Sequence, residues 1–183
     1  IMSVLGNHDF ALYHHGLTDA KKEDKVNQLT VYQRDTLGWQ LLRNQSYLIQ
    51  RDSAYLQIIG VDNTSCQGQG FQTISRGDLP AAMTLPNSLI ASSPLKILLS
   101  HDPSHWRAEV IPTTDIPLTL SGHTHAGQVR LFGYPISSLM FTESEGWYHM
   151  DNQSLHINTG LGCTLPVRLG VPAEITIITL QTQ

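Results

Sequence analysis

The chain has 183 residues, 40% hydrophobic and 14% charged, enough apolar material for a buried core and too much for a disordered segment. Its formal net charge of -4 gives no bulk attraction for nucleic acid, so none is expected as a partner. An anionic substrate would have to be held by local groups or metal ions. No apolar run reaches the roughly 18–20 residues of a membrane-spanning helix, and the opening residues do not read as a signal peptide.

The opening is nevertheless unusual. Residues 1–5 read as a buried strand that begins on Ile1 without an initiating Met and runs at once into a polar loop, as expected of a chain cut inside a domain. The pattern turns helical from Asp19 to Leu37, with Asp19 as N-cap and Gly38 as the stop. Ser46–Gln50 and Ala54–Val61 read as a hairpin, and 62–77 as a Gly- and Ser-rich loop. A short helix capped by Asp78 runs to about Leu85, where Pro86 ends it. Leu95–Leu99 is an apolar strand, Ser104–Ile111 a short helix and Ile116–Leu120 another buried strand. The remainder reads as β: Gln128–Leu131, Trp147–Met150, Leu155–Asn158 and Glu174–Leu180. Mixed strands and helices followed by strands alone predict an α/β sandwich of two sheets.

Three of these strands run into histidine loops: Gly6-Asn7-His8-Asp9, Ser100-His101-Asp102 and Gly122-His123-Thr124-His125. Ligands in open α/β sheets bind beyond the carboxyl ends of strands, so parallel neighbours would bring the three loops to one site. In an extended segment His123 and His125 point to the same side with β-carbons roughly 6–7 Å apart, a span suited to two adjacent metal ions. The Asn7 carboxamide oxygen is a suitable ligand for a hard or borderline cation. His8 beside it is placed to protonate a leaving oxygen. Asp9 reads as an orienting partner, Asp102 as a helix cap, and His105, His149 and His156 as surface or packing residues. His14 and His15 lie near the Asn7 loop. Cys66 and Cys163 read as unpaired thiols, and the Asn-x-Ser triplets at Asn44, Asn63 and Asn152 as chance. Phe132, Tyr134, Trp147 and Tyr148 read as packing residues, with an apolar lip for substrate as the alternative.

Gly6-Asn7-His8-Asp9, His101 and Gly122-His123-Thr124-His125 together resemble the later signature blocks of the calcineurin-like metallophosphoesterases, in the right order and across nearly the whole chain. Ser121–Gln128, Asn158–Gly162 and Pro166–Glu174 are similar to a bacterial, membrane-associated branch that includes UDP-2,3-diacylglucosamine pyrophosphatase-like enzymes. The resemblance implies a two-sheet αββα sandwich and a hydrolase of phosphodiesters, pyrophosphates or phosphomonoesters that uses a metal-bridging hydroxide. It implies that Asn7, His101 and His123 ligate one ion, that His125 ligates another, and that His8 is catalytic. Two divalent ions (Mn, Fe or Zn) are implied for the complete domain, and one or none for this chain.

The family's first blocks, Asp-x-His and Gly-Asp, are absent. Residues 1–183 are therefore expected to be the C-terminal portion of one such domain, lacking its first strands and impaired on its own. The expected substrate is a small-molecule or lipid-linked phosphate ester, with membrane association left open through a missing upstream segment. Two alternatives stand beside this reading: a non-catalytic scaffold of the same fold, and a mononuclear zinc protein using His101, His123 and His125.

Overall fold

The computed structural model describes residues 1–70, 72–85 and 94–181. The short strand β1 (Met2–Ser3) leads into a 3-10 turn, Asn7–Phe10, and then α1 (Asp19–Val31). Thr18, one residue earlier than expected, caps α1 by accepting the Lys21 N–H. The helix continues as a wider π turn over Tyr32–Thr36 and ends at Gly38, whose φ of +65 a side chain would strain. β2 (Gln40–Leu41), β3 (Gln45–Arg51) and β4 (Ala54–Gly60) follow, the last two paired as the expected hairpin.

Asp78 caps α2 (Leu79–Met83) through the Ala81 N–H at 2.9 Å. Pro86, read as its stop, lies outside the described residues. After β5 (Leu95–Leu99) the chain is helical over 104–113, as a π turn at Trp106–Val110 closing in α3 (Ile111–Thr113). β6 (Leu118–Ser121) precedes the third histidine loop, a 3-10 segment at His125–Gln128, and the small ladder of β7 (Arg130–Leu131) with β8 (Tyr134–Pro135). After a 3-10 turn at Ile136–Leu139, β9 (Gly146–Met150) and β10 (Gln153–Ile157) are the last strands among the described residues.

The central sheet has six strands in the order β3-β4-β5-β6-β10-β9. β4, β5, β6 and β10 run parallel, and β3 and β9 run antiparallel at the edges. One face carries Ile59, Leu98, Leu155 and Ile157 against Leu79, Trp106 and Val110 of the helices. The other carries Ile58, Ile97 and Leu118 against Met2, Val4, Leu42 and Ile178. β1 pairs in parallel with β2 as a thin second layer, and Val26 of α1 packs outside it with Leu5 and Phe10. Helices, six strands, a thin β layer and α1 make an α/β fold consistent with a metallophosphoesterase-type sandwich.

Two expectations need correcting. β1 pairs with β2 instead of joining the six-stranded sheet, so its loop reaches the site from the second layer. Glu174–Leu180 belongs to no strand, although its side chains alternate: Ile178 packs on the core while Ile175 and Ile177 face solvent. Alternation records one buried face, and a ladder needs a neighbouring backbone as well.

Leu98 is fully buried at the centre of this sheet. Leu98→Ala is expected to cost about 2–5 kcal/mol, read as a lower denaturation midpoint with an unchanged slope.

Candidate metal centre

Backbone pairing brings two histidines together. Ser100 N–H donates to Leu120 at 3.0 Å and Gly122 N–H to His101 at 3.0 Å, so the β5–β6 ladder continues beyond the strands into both loops. Gly6 then allows the first loop to close on them. A β-carbon there would lie 2.7–2.8 Å from ring atoms of His101.

The result is a triangle of donor atoms. Asn7 Oδ1 lies 3.1 Å from His101 Nε2 and 3.1 Å from His123 Nδ1, and the two nitrogens are 3.3 Å apart. Cis ligands of an octahedral ion with bonds of about 2.1–2.2 Å are separated by roughly 3.0–3.1 Å, and tetrahedral ones by roughly 3.5 Å. The triangle thus has the edge lengths of a coordination polyhedron, and its two imidazoles and one carbonyl oxygen fit a borderline divalent cation. Among the described residues no set of three or more His, Cys, Asp or Glu side chains could hold a metal.

Each donor is aimed from behind. Asn7 Nδ2 donates to Tyr13 Oη at 2.9 Å, which turns Oδ1 toward the histidines. Asp102 Oδ2 lies 3.7 Å from His123 Nε2, and Oδ1 accepts the Ser104 N–H at 2.9 Å, so this buried carboxylate both caps the turn and backs the ring. His125 stands in the same cleft but outside the triangle. Its Nδ1 faces the Thr159 carbonyl at 3.1 Å, which makes Nδ1 the protonated nitrogen and leaves the Nε2 lone pair free. His8 is exposed at the cleft and lies against the Tyr13 ring, tilted by 33° with centroids 4.5 Å apart. Asp9 Oδ2 accepts the Gly6 N–H at 2.8 Å and so shapes the Asn7 turn; burial raises its carboxyl pKa.

The extended geometry expected of His123-Thr124-His125 is absent. His123 and His125 have φ of +67 and +49, and Thr124 is helical. The turn closes through Thr124 N–H to Gly122 O at 2.7 Å and Gly127 N–H to Thr124 O at 2.8 Å. It therefore sends His123 to the triangle and His125 to Thr159.

Of the other histidines, His105 is buried between Ser100 Oγ at 2.9 Å and Glu109 at 3.1 Å, beneath the His101 loop. His156 is buried in β10, whereas His14 and His15 are exposed. Asn44 uses both ends of its carboxamide in internal hydrogen bonds, and Asn63 Nδ2 donates to Thr73 Oγ1 and the Ile74 carbonyl. Both cysteines are free thiols, as expected. Phe132 and Tyr134 are exposed on the β7–β8 ladder, Tyr148 packs on the core, and Trp147 stacks with His149; none of them lines the cleft. Sequence reasoning missed Tyr13 and Phe141, which carry no motif of their own, and gave Gln128 no role although it closes the Ser121–Gln128 block.

The chain is 30% identical to the uncharacterized metallophosphoesterase YkuE of Bacillus subtilis, over 99% of this chain and 56% of that protein. It is 30% identical to an uncharacterized metallophosphoesterase of Aquifex aeolicus, over 98% of this chain and 60% of that one. A third, from Campylobacter jejuni, is 28% identical over 97% of this chain and 41% of its own length. These relatives support the metallophosphoesterase superfamily, a class of hydrolases that uses divalent metal ions. The chain spans no more than 60% of the length of these three relatives. No family model and no solved structure matches it. Among the described residues, no helix is long and apolar enough to cross a membrane.

Burial, reinforced by the neighbouring rings of His123, His125 and His8, lowers the His101 pKa to about 3, and burial lowers that of His123 as well. Both are therefore neutral at pH 7, with lone pairs available for a cation. Between about pH 6.5 and 3 the unfolded chain binds protons that native His101 refuses, so stability is present above that window and lost as pH falls through it. Without metal, the melting temperature should drop progressively below pH 6.5. His101→Gln should flatten that slope, checked by thermal melts across pH in EDTA.

Proposed function

We propose that this chain contributes one half of a dinuclear, metal-dependent phosphoesterase centre. The observation that carries the reading is the triangle of Asn7 Oδ1, His101 Nε2 and His123 Nδ1, with edges of 3.1–3.3 Å. These three would hold one ion. His125, its Nε2 left free by the bond to Thr159, would serve the other. A mixed imidazole, amide and carboxylate set accepts manganese, iron or zinc. When bound, the ions supply an activated water and neutralise charge on the phosphoryl oxygens.

The protein's own part is orientation and proton transfer. Tyr13 fixes the carboxamide, Asp102 backs the His123 ring, and the Thr159 carbonyl fixes the tautomer of His125. His8, exposed at the cleft and in contact with the Tyr13 ring, passes a proton to the leaving oxygen.

A dinuclear centre also needs carboxylate ligands, and Asp9 and Asp102 are committed to the Gly6 turn and to His123. We assign the remaining ligands to sequence outside residues 1–183, in keeping with the greater length of the relatives. On this reading the 183-residue chain alone is impaired.

The test is manganese-stimulated hydrolysis of bis-p-nitrophenyl phosphate by this chain and by a form extended with its genomic flanking sequence. Activity is expected in the extended form. It should fall more than about 100-fold in His123→Ala, since even partners behind the ligands cost 10–100-fold. In His8→Asn, kcat should fall about 10²–10⁴-fold with the metal retained. An extended form that neither hydrolyses the ester nor binds metal would sink the reading.

A further inference from the structure

Asn158–Gly162 and Pro166–Glu174 lie outside the triangle of donors, and both close on the carbonyl that faces His125. An imidazole's tautomer is set by the hydrogen bond that its other nitrogen makes, so the Thr159 carbonyl has to stay at His125 Nδ1. The sheet does not keep it there. β10 ends at Ile157, and its pairing with β6 reaches one residue further, through Asn158 N–H to Ser121 O at 2.9 Å. Residues 158–168 belong to no strand or helix.

Side chains hold Thr159 instead. Its N–H and its Oγ1 both donate to Glu174 Oε2, at 2.9 and 3.1 Å, and the residue is buried. Half-buried Arg168 takes the other side: Nη2 donates to the Thr159 and Gly160 carbonyls at 3.0 Å each and also pairs with the Gly162 carbonyl, while Nη1 donates to Pro172 O at 3.1 Å. The two lone pairs of Thr159 O are thereby shared between His125 and Arg168. A planar guanidinium spans several carbonyls in this way, and a single ammonium does not.

Glu174 is fixed in turn. Its Oε1 accepts from Thr176 Oγ1 at 2.7 Å, and its N–H donates to Gly160 O at 3.1 Å. The alternation of the last residues turns Glu174, Thr176 and Ile178 inward and leaves Ile175 and Ile177 in solvent, so the register that buries Ile178 also sets the carboxylate against Thr159. Gly160 turns the chain at φ +77, where a side chain would be strained.

We propose that Arg168 and Glu174 are positioning residues that hold the Thr159 carbonyl against His125 Nδ1 and so keep His125 Nε2 unprotonated for a metal ion. The metal half of this statement rests on the phosphoesterase reading, and the tautomer half does not. Ring 15N shifts of His125, assigned by their loss in His125→Gln, read the tautomer in the extended form, held in EDTA above the histidine titration range.

The native protein should show a protonated Nδ1 and a bare Nε2. Arg168→Ala and Glu174→Ala should shift His125 to the mixture, mostly Nε2–H, that imidazole adopts in water. Glu174→Gln, which keeps an oxygen for Thr159, should retain the native tautomer, and Arg168→Lys should give an intermediate mixture. Arg130→Ala, which loses a bond to the same segment at Gly170 O without touching Thr159, should change nothing. Ring signals of His156, buried in β10, report an intact fold; where an alanine variant loses them, the native tautomer and Arg168→Lys decide. With manganese, Arg168→Ala should hold one of its two ions about 10–100-fold more weakly and the other unchanged.

An Nε2–H His125 in the native protein, a native tautomer that survives every substitution at Arg168 and Glu174, or an equal shift in Arg130→Ala would overturn the proposal. So would manganese binding left unchanged by a shifted tautomer. An unshifted tautomer in an active enzyme defeats this inference alone. A shifted one in a protein whose native form is inert and binds no manganese defeats the phosphoesterase reading and leaves the positioning of His125 standing.

Discussion

Two backbone hydrogen bonds beyond the ends of β5 and β6 govern the cleft. Because Ser100 donates to Leu120 and Gly122 to His101, the parallel ladder carries its register into both loops and brings His101 and His123 within 3.3 Å. The third donor, Asn7, comes from another layer and reaches them only because Gly6 has no side chain where the His101 ring lies. The sheet supplies the histidine pair, and the thin second layer supplies the oxygen.

The histidine turn is conformationally costly. His123, His125, Ala126 and Gln128 all adopt positive φ, a region that costs a residue with a β-carbon roughly 1–2 kcal/mol each. The four hydrogen bonds of the Gln128 carboxamide, the Thr124 bond to Ser144 and the Thr124–Gly127 closure hold it there. Strain of this kind persists where the surroundings over-determine it, commonly at ligand clamps. Here the same bonds fix the turn that carries both imidazoles.

Much of the scaffold was legible in the sequence because its signals are local. Apolar runs such as Leu95–Leu99, ended by polar turns, marked the strands, and Asp78 and Gly38 marked helix boundaries. The meeting of His101 and His123 was legible from their strand-end placement on parallel neighbours, whereas Asn7 arrives from a separate layer that this placement did not foresee. What escaped depends on tertiary neighbours. Tyr13 matters through Asn7, Asp102 through His123 and Gln128 through the 164–167 backbone, and none of these pairings leaves a periodic trace. The extended reading of His123–His125 failed because a tight turn and a short strand can share the same Gly-flanked polar sequence. Glu174–Leu180 showed true alternation, but pairing is a property of two segments and one alone cannot reveal it.

The central claim is that Asn7, His101 and His123 share one metal ion, and a cobalt(II) titration of the 183-residue chain followed by visible absorption tests it most directly. The account predicts one weakly held ion per chain with the faint spectrum of six-coordinate cobalt, abolished in Asn7→Ala, His101→Ala and His123→Ala alike. Binding that survives any of these three substitutions, or the intense spectrum of a tetrahedral site, would contradict it.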